Sequence, residues 1–202
     1  AHIDALRRRF DTFVDYDEVS RKTLEGGLSE DRGLLIVAGH LGNWELLGFY
    51  LAWCGYPVRT LARGLSDPRL SAFVRDFRES RGVKTIVRHE DGAPKLMLRA
   101  FKDRAILGFF LDQDTDVAGV FVPFFGRPAW TPAGAAAMAL RMKPKVVVAS
   151  MLRNPDGRYT LRALPYEVVE SGDREADVVR VTADLTAMLE RAIRRAPEQW
   201  VW

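Results

Sequence analysis

Along the chain, short unbroken apolar runs alternate with longer stretches in which apolar residues recur every three or four positions. The first pattern marks strands buried on both faces, the second helices with one face turned to a core. Leu34-Leu35-Ile36-Val37-Ala38 reads as a buried strand, Gly39-His40-Leu41-Gly42-Asn43 as a turn, and residues 44–54 as a helix N-capped by Asn43. Residues 58–62 read as a second strand. Residues 68–80 read as a helix whose buried stripe is Leu70, Phe73, Val74 and Phe77. A short strand is expected at 85–87, a helix at 93–103, and a strongly apolar strand at 105–111 that ends at Asp112. Residues 132–142 read as an Ala-rich helix with Pro132 just inside its start. Strands at 145–151 and 159–164 are joined by the turn Asn154-Pro155-Asp156-Gly157. A long helix over 173–195 directs Leu185, Met188, Leu189, Ala192 and Ile193 inward. At the other end, Ile3, Leu6, Phe10, Phe13 and Val14 fall at helical spacing and predict a helix over 3–28, closed by Gly26-Gly27. Strands alternating with helices predict an α/β fold, a central and largely parallel (mixed) sheet flanked by helices. With no repeat, low-complexity run or linker, residues 1–202 are expected to form one domain.

Composition narrows this little: 48% hydrophobic residues over 202 positions suffice for a core and argue against disorder. The single cysteine, Cys54, excludes an intrachain disulfide and a Cys-based zinc site. It reads as a small buried hydrophobe. No apolar window is long enough to span a bilayer. No signal peptide is visible, and with Ala1 and Trp202 at its two ends the stretch looks cut, so an anchoring segment is expected outside it. Charge changes the picture more. The net charge is only +3, yet the stretch 59–104 holds twelve Lys/Arg against six Asp/Glu. Such a patch favours an anionic partner (a phosphate, an acidic carrier protein or an anionic membrane surface), with a solvated basic face as the alternative. Nucleic acid is not expected, because the patch lacks the interleaved aromatics of a single-strand binder.

The chemistry concentrates in residues 34–45. His40 leaves the end of a buried strand, where sites form in open α/β sheets, and imidazole suits proton transfer near neutral pH. A turn followed by the first turn of a helix can return Glu45 toward the ring, so that it holds one nitrogen and leaves the other as base. By itself His-x-x-x-x-Glu is a weak signal, and structural roles for both residues are its default reading.

The longer string Gly39-His40-Leu41-Gly42-Asn43-Trp44-Glu45 resembles the first motif of the late acyltransferases of lipid A biosynthesis and of the related phosphatidylinositol mannoside acyltransferases. Further stretches follow in that family's order. They are Arg78-Glu79-Ser80-Arg81-Gly82-Val83, then Asp112-Gln113-Asp114, then Gly119-Val120-Phe121-Val122-Pro123-Phe124-Phe125-Gly126-Arg127-Pro128-Ala129, and Pro197-Glu198-Gln199-Trp200-Val201-Trp202. The resemblance implies that His40 is the general base on an acceptor hydroxyl and that Glu45 orients it. It implies an acyl thioester of acyl carrier protein or coenzyme A as donor and an anionic lipid or glycolipid of lipid A precursor type as acceptor. It further implies work at the cytoplasmic face of the bacterial inner membrane, with no metal and no cofactor. Asn43, Arg63, Arg78, Arg88 and Asp112 are the candidate substrate-binding residues. Arg63 and Arg88 follow strands and fit a phosphate grip. Asp112 fits the holding of an arginine or a sugar hydroxyl, or a turn cap. Residues 120–125 fit a buried strand better than a wall for an acyl chain. A thioester hydrolase and a non-catalytic lipid- or carrier-binding module are the competing readings.

Overall fold

The computed structural model describes residues 12–28, 32–88 and 90–201. In chain order the elements are β1 (Val14–Tyr16), α1 (Glu18–Leu28), β2 (Leu34–Ala38), α2 (Trp44–Trp53), β3 (Val58–Ala62), α3 (Pro68–Glu79), β4 (Val83–Val87) and α4 (Ala93–Lys102). Then come β5 (Ile106–Phe110), β6 (Gly119–Phe124), β7 (Arg127–Pro132), α5 (Gly134–Met142), β8 (Lys145–Arg153), β9 (Tyr159–Tyr166), α6 (Arg174–Ile193) and a 3₁₀ turn, Pro197–Gln199.

All five residues of β2 are buried, because helices cover both faces of the sheet at this strand. Leu34, Ile36 and Ala38 pack with Leu24 of α1 and with Leu46, Leu47 and Phe49 of α2. Leu35 and Val37 face the other way, toward Phe101 of α4, Ala135 and Ala139 of α5, and Leu185 and Leu189 of α6. Full burial of one such Leu or Ile contributes about 1.5–3 kcal/mol, which fixes this strand as the centre of the molecule. The sheet has seven strands in the order β1-β9-β8-β2-β5-β3-β4. Neighbours are parallel except β8 and β9, which form an antiparallel pair across the turn at Asn154–Gly157. The expected mixed, largely parallel α/β sheet is therefore what the chain forms.

Five local expectations change. Val14–Tyr16 is a strand, paired in parallel with Tyr159–Leu161, and the helix begins only at Glu18. Pairing with a free sheet edge outweighs the helical spacing of Phe13 and Val14, and Gly26 and Gly27 lie inside α1 rather than ending it. The expected helical positions Ile3, Leu6 and Phe10 lie outside the described residues. Pro132 ends β7, and α5 starts two residues later. Residues 119–132 form a separate antiparallel hairpin that packs on α6 and takes no place in the main sheet. In it Pro123 stands opposite Pro128. A two-strand ribbon has two open edges, so prolines cost it little. No residue of α3 is buried, although its stripe predicted a core face; Phe73 is 66% exposed. Cys54 is exposed at the end of α2 rather than buried. Among the described residues no helix is long and apolar enough to cross a membrane.

Candidate active site

The register of the two central strands builds the site. Ala38, the last residue of β2, lies opposite Phe110, the last residue of β5. Two residues further along each chain stand His40 and Asp112, so they meet although 72 positions separate them. His40 Nδ1 lies 2.9 Å from Asp112 Oδ1, and the His40 backbone N–H donates to Asp112 Oδ2 at 2.5 Å. The Trp200 indole N–H donates to the same oxygen at 3.0 Å. The Asp112 side chain is fully buried. A buried carboxylate that meets N–H groups is satisfied as the charged acceptor, so the proton of the ring sits on Nδ1. That leaves Nε2 as the ring's acceptor. The ring is steadied by Phe110 at 4.8 Å and by Trp44, edge-on, at 5.1 Å. His40 borders the cleft described below.

Two glycines make the approach possible. A Cβ on Gly39 would stand 2.9 Å from Asp112 Oδ2. Gly42 has φ +66°, and a Cβ there would lie 2.1 Å from the Met151 carbonyl oxygen. The turn between them is clamped from outside: Gly42 N–H donates to Gln199 O, Asn43 N–H to Met151 O, and Val201 N–H to His40 O, all within 2.8–2.9 Å. The Gln199 side chain is itself locked onto the backbone of Arg153 through both its oxygen and its nitrogen.

Glu45 is not the partner of His40. The first turn of α2 directs its carboxylate to the face covered by α3, where the Arg78 guanidinium takes it as a fork: Nε at 3.0 and 3.1 Å, and Nη2 on Oε1. The expected His40–Glu45 pairing is thereby corrected to His40–Asp112 and Glu45–Arg78. Arg78, expected to bind substrate, lines the cleft while its Nε and Nη2 are held by Glu45. Asn43 caps α2, its side-chain oxygen accepting from Leu46 N–H at 2.9 Å, and it stands outside the cleft lining. The sequence reading missed Trp200 as a partner of Asp112. The signal was available in the Glu198-Gln199-Trp200 stretch, but nothing local says that it returns to residue 40.

A cleft of about 910 Å³ opens beside the pair. His40, Asp112, Arg63, Arg78 and Arg88 line it, together with the apolar Leu61, Met97, Phe109, Phe110, Ala137 and Met138. Arg63 is exposed at the rim, and Arg88 Nη1 donates to Thr115 Oγ1 at 3.3 Å. Arg88 Nε is buried and finds no hydrogen-bond partner among the described residues. Burial, and then the neighbouring Arg63, pull the Arg88 guanidinium below the ordinary arginine range. Two crowded guanidiniums in a half-desolvated wall favour an anion between them. A second, narrower and largely apolar cavity lies between Gly48, Leu51, Val83 and Gly108, with Glu45 and Arg78 also in its lining. Among the described residues no group of three or more His, Cys, Asp and Glu is placed to hold a metal ion.

The fold resembles the 1-acyl-sn-glycerophosphate acyltransferase PlsC from Thermotoga maritima. The TM-score is 0.52 at 14% identity, over all of this chain and 80% of that one. A phosphatidylinositol mannoside acyltransferase of Mycolicibacterium smegmatis is 25% identical over 186 residues, 91% of this chain and 60% of the relative. One of Mycobacterium tuberculosis is 24% identical over 180 residues, 88% of this chain and 55% of the relative. The chain thus spans between half and two thirds of the length of these curated relatives. The family description "Bacterial lipid A biosynthesis acyltransferase" matches residues 5–202, nearly the whole chain. The His40 turn, the Asp112 turn and the Gln199-Trp200 clamp all lie inside that match, and the chain belongs to this acyltransferase family.

Proposed function

We propose that this chain carries an O-acyltransferase site that moves a fatty acyl group from a thioester onto a hydroxyl of a lipid or glycolipid. The supporting observation is a His–Asp pair whose free ring nitrogen borders a cleft with both apolar and cationic walls. His40 Nε2 accepts the proton of the acceptor hydroxyl as its oxygen bonds to the thioester carbonyl carbon. The tetrahedral intermediate then expels the thiolate, the C–S bond breaks, and the imidazolium returns its proton to the sulfur. Asp112 holds the ring and offsets its charge while it carries two protons. Glu45 acts at one remove, fixing Arg78 in the cleft wall. The size and apolar lining of the large cleft suit an acyl chain. Arg63 and Arg88 suit a phosphate, whether on the donor or on the acceptor.

The named relatives are acyltransferases of phosphatidylinositol mannoside, and the structural neighbour is one of 1-acyl-sn-glycerophosphate. A phosphorylated glycolipid acceptor, of lipid A precursor or phosphoinositide mannoside type, is the reading we favour. With it go an acyl carrier protein or coenzyme A thioester as donor and a location at the cytoplasmic face of the inner membrane. No metal or cofactor takes part in these steps.

The test is product analysis by mass spectrometry after incubation with a labelled acyl thioester and candidate lipid acceptors. Acceptor-dependent ester is expected, and a folded His40→Ala variant should lose about 10²–10⁴-fold in turnover. Thioester cleavage at one rate with and without acceptor would identify a hydrolase. Tight binding of the thioester without turnover would identify a binding module.

A further inference from the structure

The tip of the 119–132 hairpin carries a residue that its backbone does not favour. Phe124 stands opposite Arg127, so Phe125 and Gly126 alone make the turn. Both have positive φ, +50° and +76°. A two-residue turn of this kind is most often met by Asn-Gly, and a phenylalanine in the first place is sterically disfavoured. Such a conformation persists only where the surroundings hold it. Three contacts do so here. Glu190 of α6 accepts the Phe125 N–H at 2.7 Å and is itself held by Arg194 Nε and Nη2 at 2.9 and 2.7 Å. The Arg194 guanidinium stands over the Phe125 ring at 4.8 Å. That ring stacks on the Trp200 indole, with centroids 5.5 Å apart and planes inclined by 25°. Phe124 meets the same indole edge-on at 5.9 Å. The sandwiched indole is the one whose N–H donates to Asp112 Oδ2. Phe124 and Trp200 line the catalytic cleft, whereas Phe125 stands outside its lining.

We infer that Phe125 is a positioning residue for the catalytic pair, acting through Trp200 on Asp112. The inference rests on the proposed role of His40 as base. Its own ground is the unfavourable turn: Asn at 125 would close the hairpin with less strain, and what Phe supplies instead is a ring against the indole. An indole turns about two side-chain bonds, and its N–H reaches Asp112 in only one setting. With the Phe125 ring in place that setting is fixed. Without it the indole can swing, and water takes its place at Asp112 Oδ2. The carboxylate is then free to turn away from His40 Nδ1, and the base loses its aim. The contacts run in one line, from Glu190 and Arg194 to the hairpin tip, then to Trp200, Asp112 and His40. A misplacement of about 1 Å at the end of such a line is worth up to about 10²-fold in rate.

Phe125→Asn tests the inference, because Asn-Gly suits the turn and keeps the N–H for Glu190 while removing the ring. With a labelled acyl thioester and a lipid acceptor, kcat should fall about 10–10²-fold with KM unchanged. Phe125→Leu, apolar but without a ring to stack, should give the same split. Trp200→Phe keeps an aromatic ring, removes the indole N–H and should cost a similar factor in kcat. In the Trp200→Phe background, Phe125→Asn should cost less than roughly a further twofold, since its route to Asp112 is already cut. Phe121→Ser, exposed on the same hairpin, should leave kcat unchanged. Unchanged kcat in both Phe125 variants, a loss that appears in KM, or a loss that adds in full to that of Trp200→Phe overturns the inference. The proton on His40 Nδ1 gives a readout independent of transfer. Its NMR resonance, identified by its absence from His40→Ala, should be sharp in wild type and broadened by exchange with water in Phe125→Asn. A resonance equally sharp in both overturns the inference, and so does its absence from wild type. A wild type that shows the resonance, loses it on Phe125→Asn and yet forms no ester strikes the acyltransferase reading and leaves the positioning role standing.

Discussion

The His40–Asp112 pair and the Glu45–Arg78 pair stand on either side of the first turn of α2. The Asp112 carboxylate is fully buried, and three N–H contacts, two of them from His40, converge on it. The Glu45 carboxylate is one-third exposed and meets a single guanidinium. One pair joins the ends of neighbouring strands at the centre of the sheet; the other ties together two helices on its outer face. A charge held in the interior by fixed donors is little screened by solvent, whereas a partly exposed pair is screened more and serves mainly to fix position. Proximity in sequence selected Glu45 as the partner of the base. Register selects Asp112.

The sharpest way to break this comparison is Asp112→Asn. The amide can present an N–H to Nδ1 and favour the wrong tautomer, so kcat should fall about 10²–10⁴-fold with the fold retained. Glu45→Gln should cost roughly tenfold or less. The double variant Glu45→Gln/Arg78→Gln should be no worse than the product of the two singles, as expected of a pair that only positions a wall. A Glu45→Gln effect larger than that of Asp112→Asn would reverse the assignment of the two carboxylates.

A third carboxylate gives the smallest effect and a pH signature. Glu190 of α6 accepts the Phe125 N–H at 2.7 Å at the hairpin tip, where Phe125 has φ +50°, and Arg194 also holds it. The Phe125 N–H, ahead of Arg194, keeps the Glu190 carboxyl below its ordinary value of 4.5. A depressed folded value means that the stability it supplies is present above that ordinary value and is lost as pH falls through the folded one. Glu190→Gln should therefore lower the melting temperature by roughly 2–4 °C near pH 7. The gap to wild type should close in acid. A gap that is constant with pH would remove the charge from the explanation.

Much of the fold was legible because its centre obeys simple rules. β2 is an unbroken apolar run because both its faces are covered, and the glycine turn after it sets His40 at a strand end. What sequence spacing cannot carry is which strand lies beside which. β5 neighbours β2 in space while β3 and β4 intervene in the chain, so the His40–Asp112 contact was invisible until the sheet order was known. The sequence reading assigned Asp112 to holding an arginine, a sugar hydroxyl or a turn, and so named the residue without its partner. Arg63 and Arg88 do line the cleft, as a strand-end position suggests. The stripe of α3 shows the complementary limit: helical spacing identifies an apolar face but does not say what covers it. Residues 120–125, read as a buried strand, do form a strand, but of Gly119–Phe124 only Val122 is buried. Its hairpin partner escaped because Pro132 reads as a helix start.

The clamp on His40 also bears on how the protein reaches its working state. The dyad and its lock draw on residues 40, 112 and 199–201, joined across 72 and 88 positions. Contacts of such separation are closed late and at the largest entropic cost, after local helices and hairpins have formed. A partly folded intermediate, however rich in secondary structure, would thus possess a histidine but no base. Appearance of activity during refolding should coincide with the last cooperative step rather than with the first gain of helix.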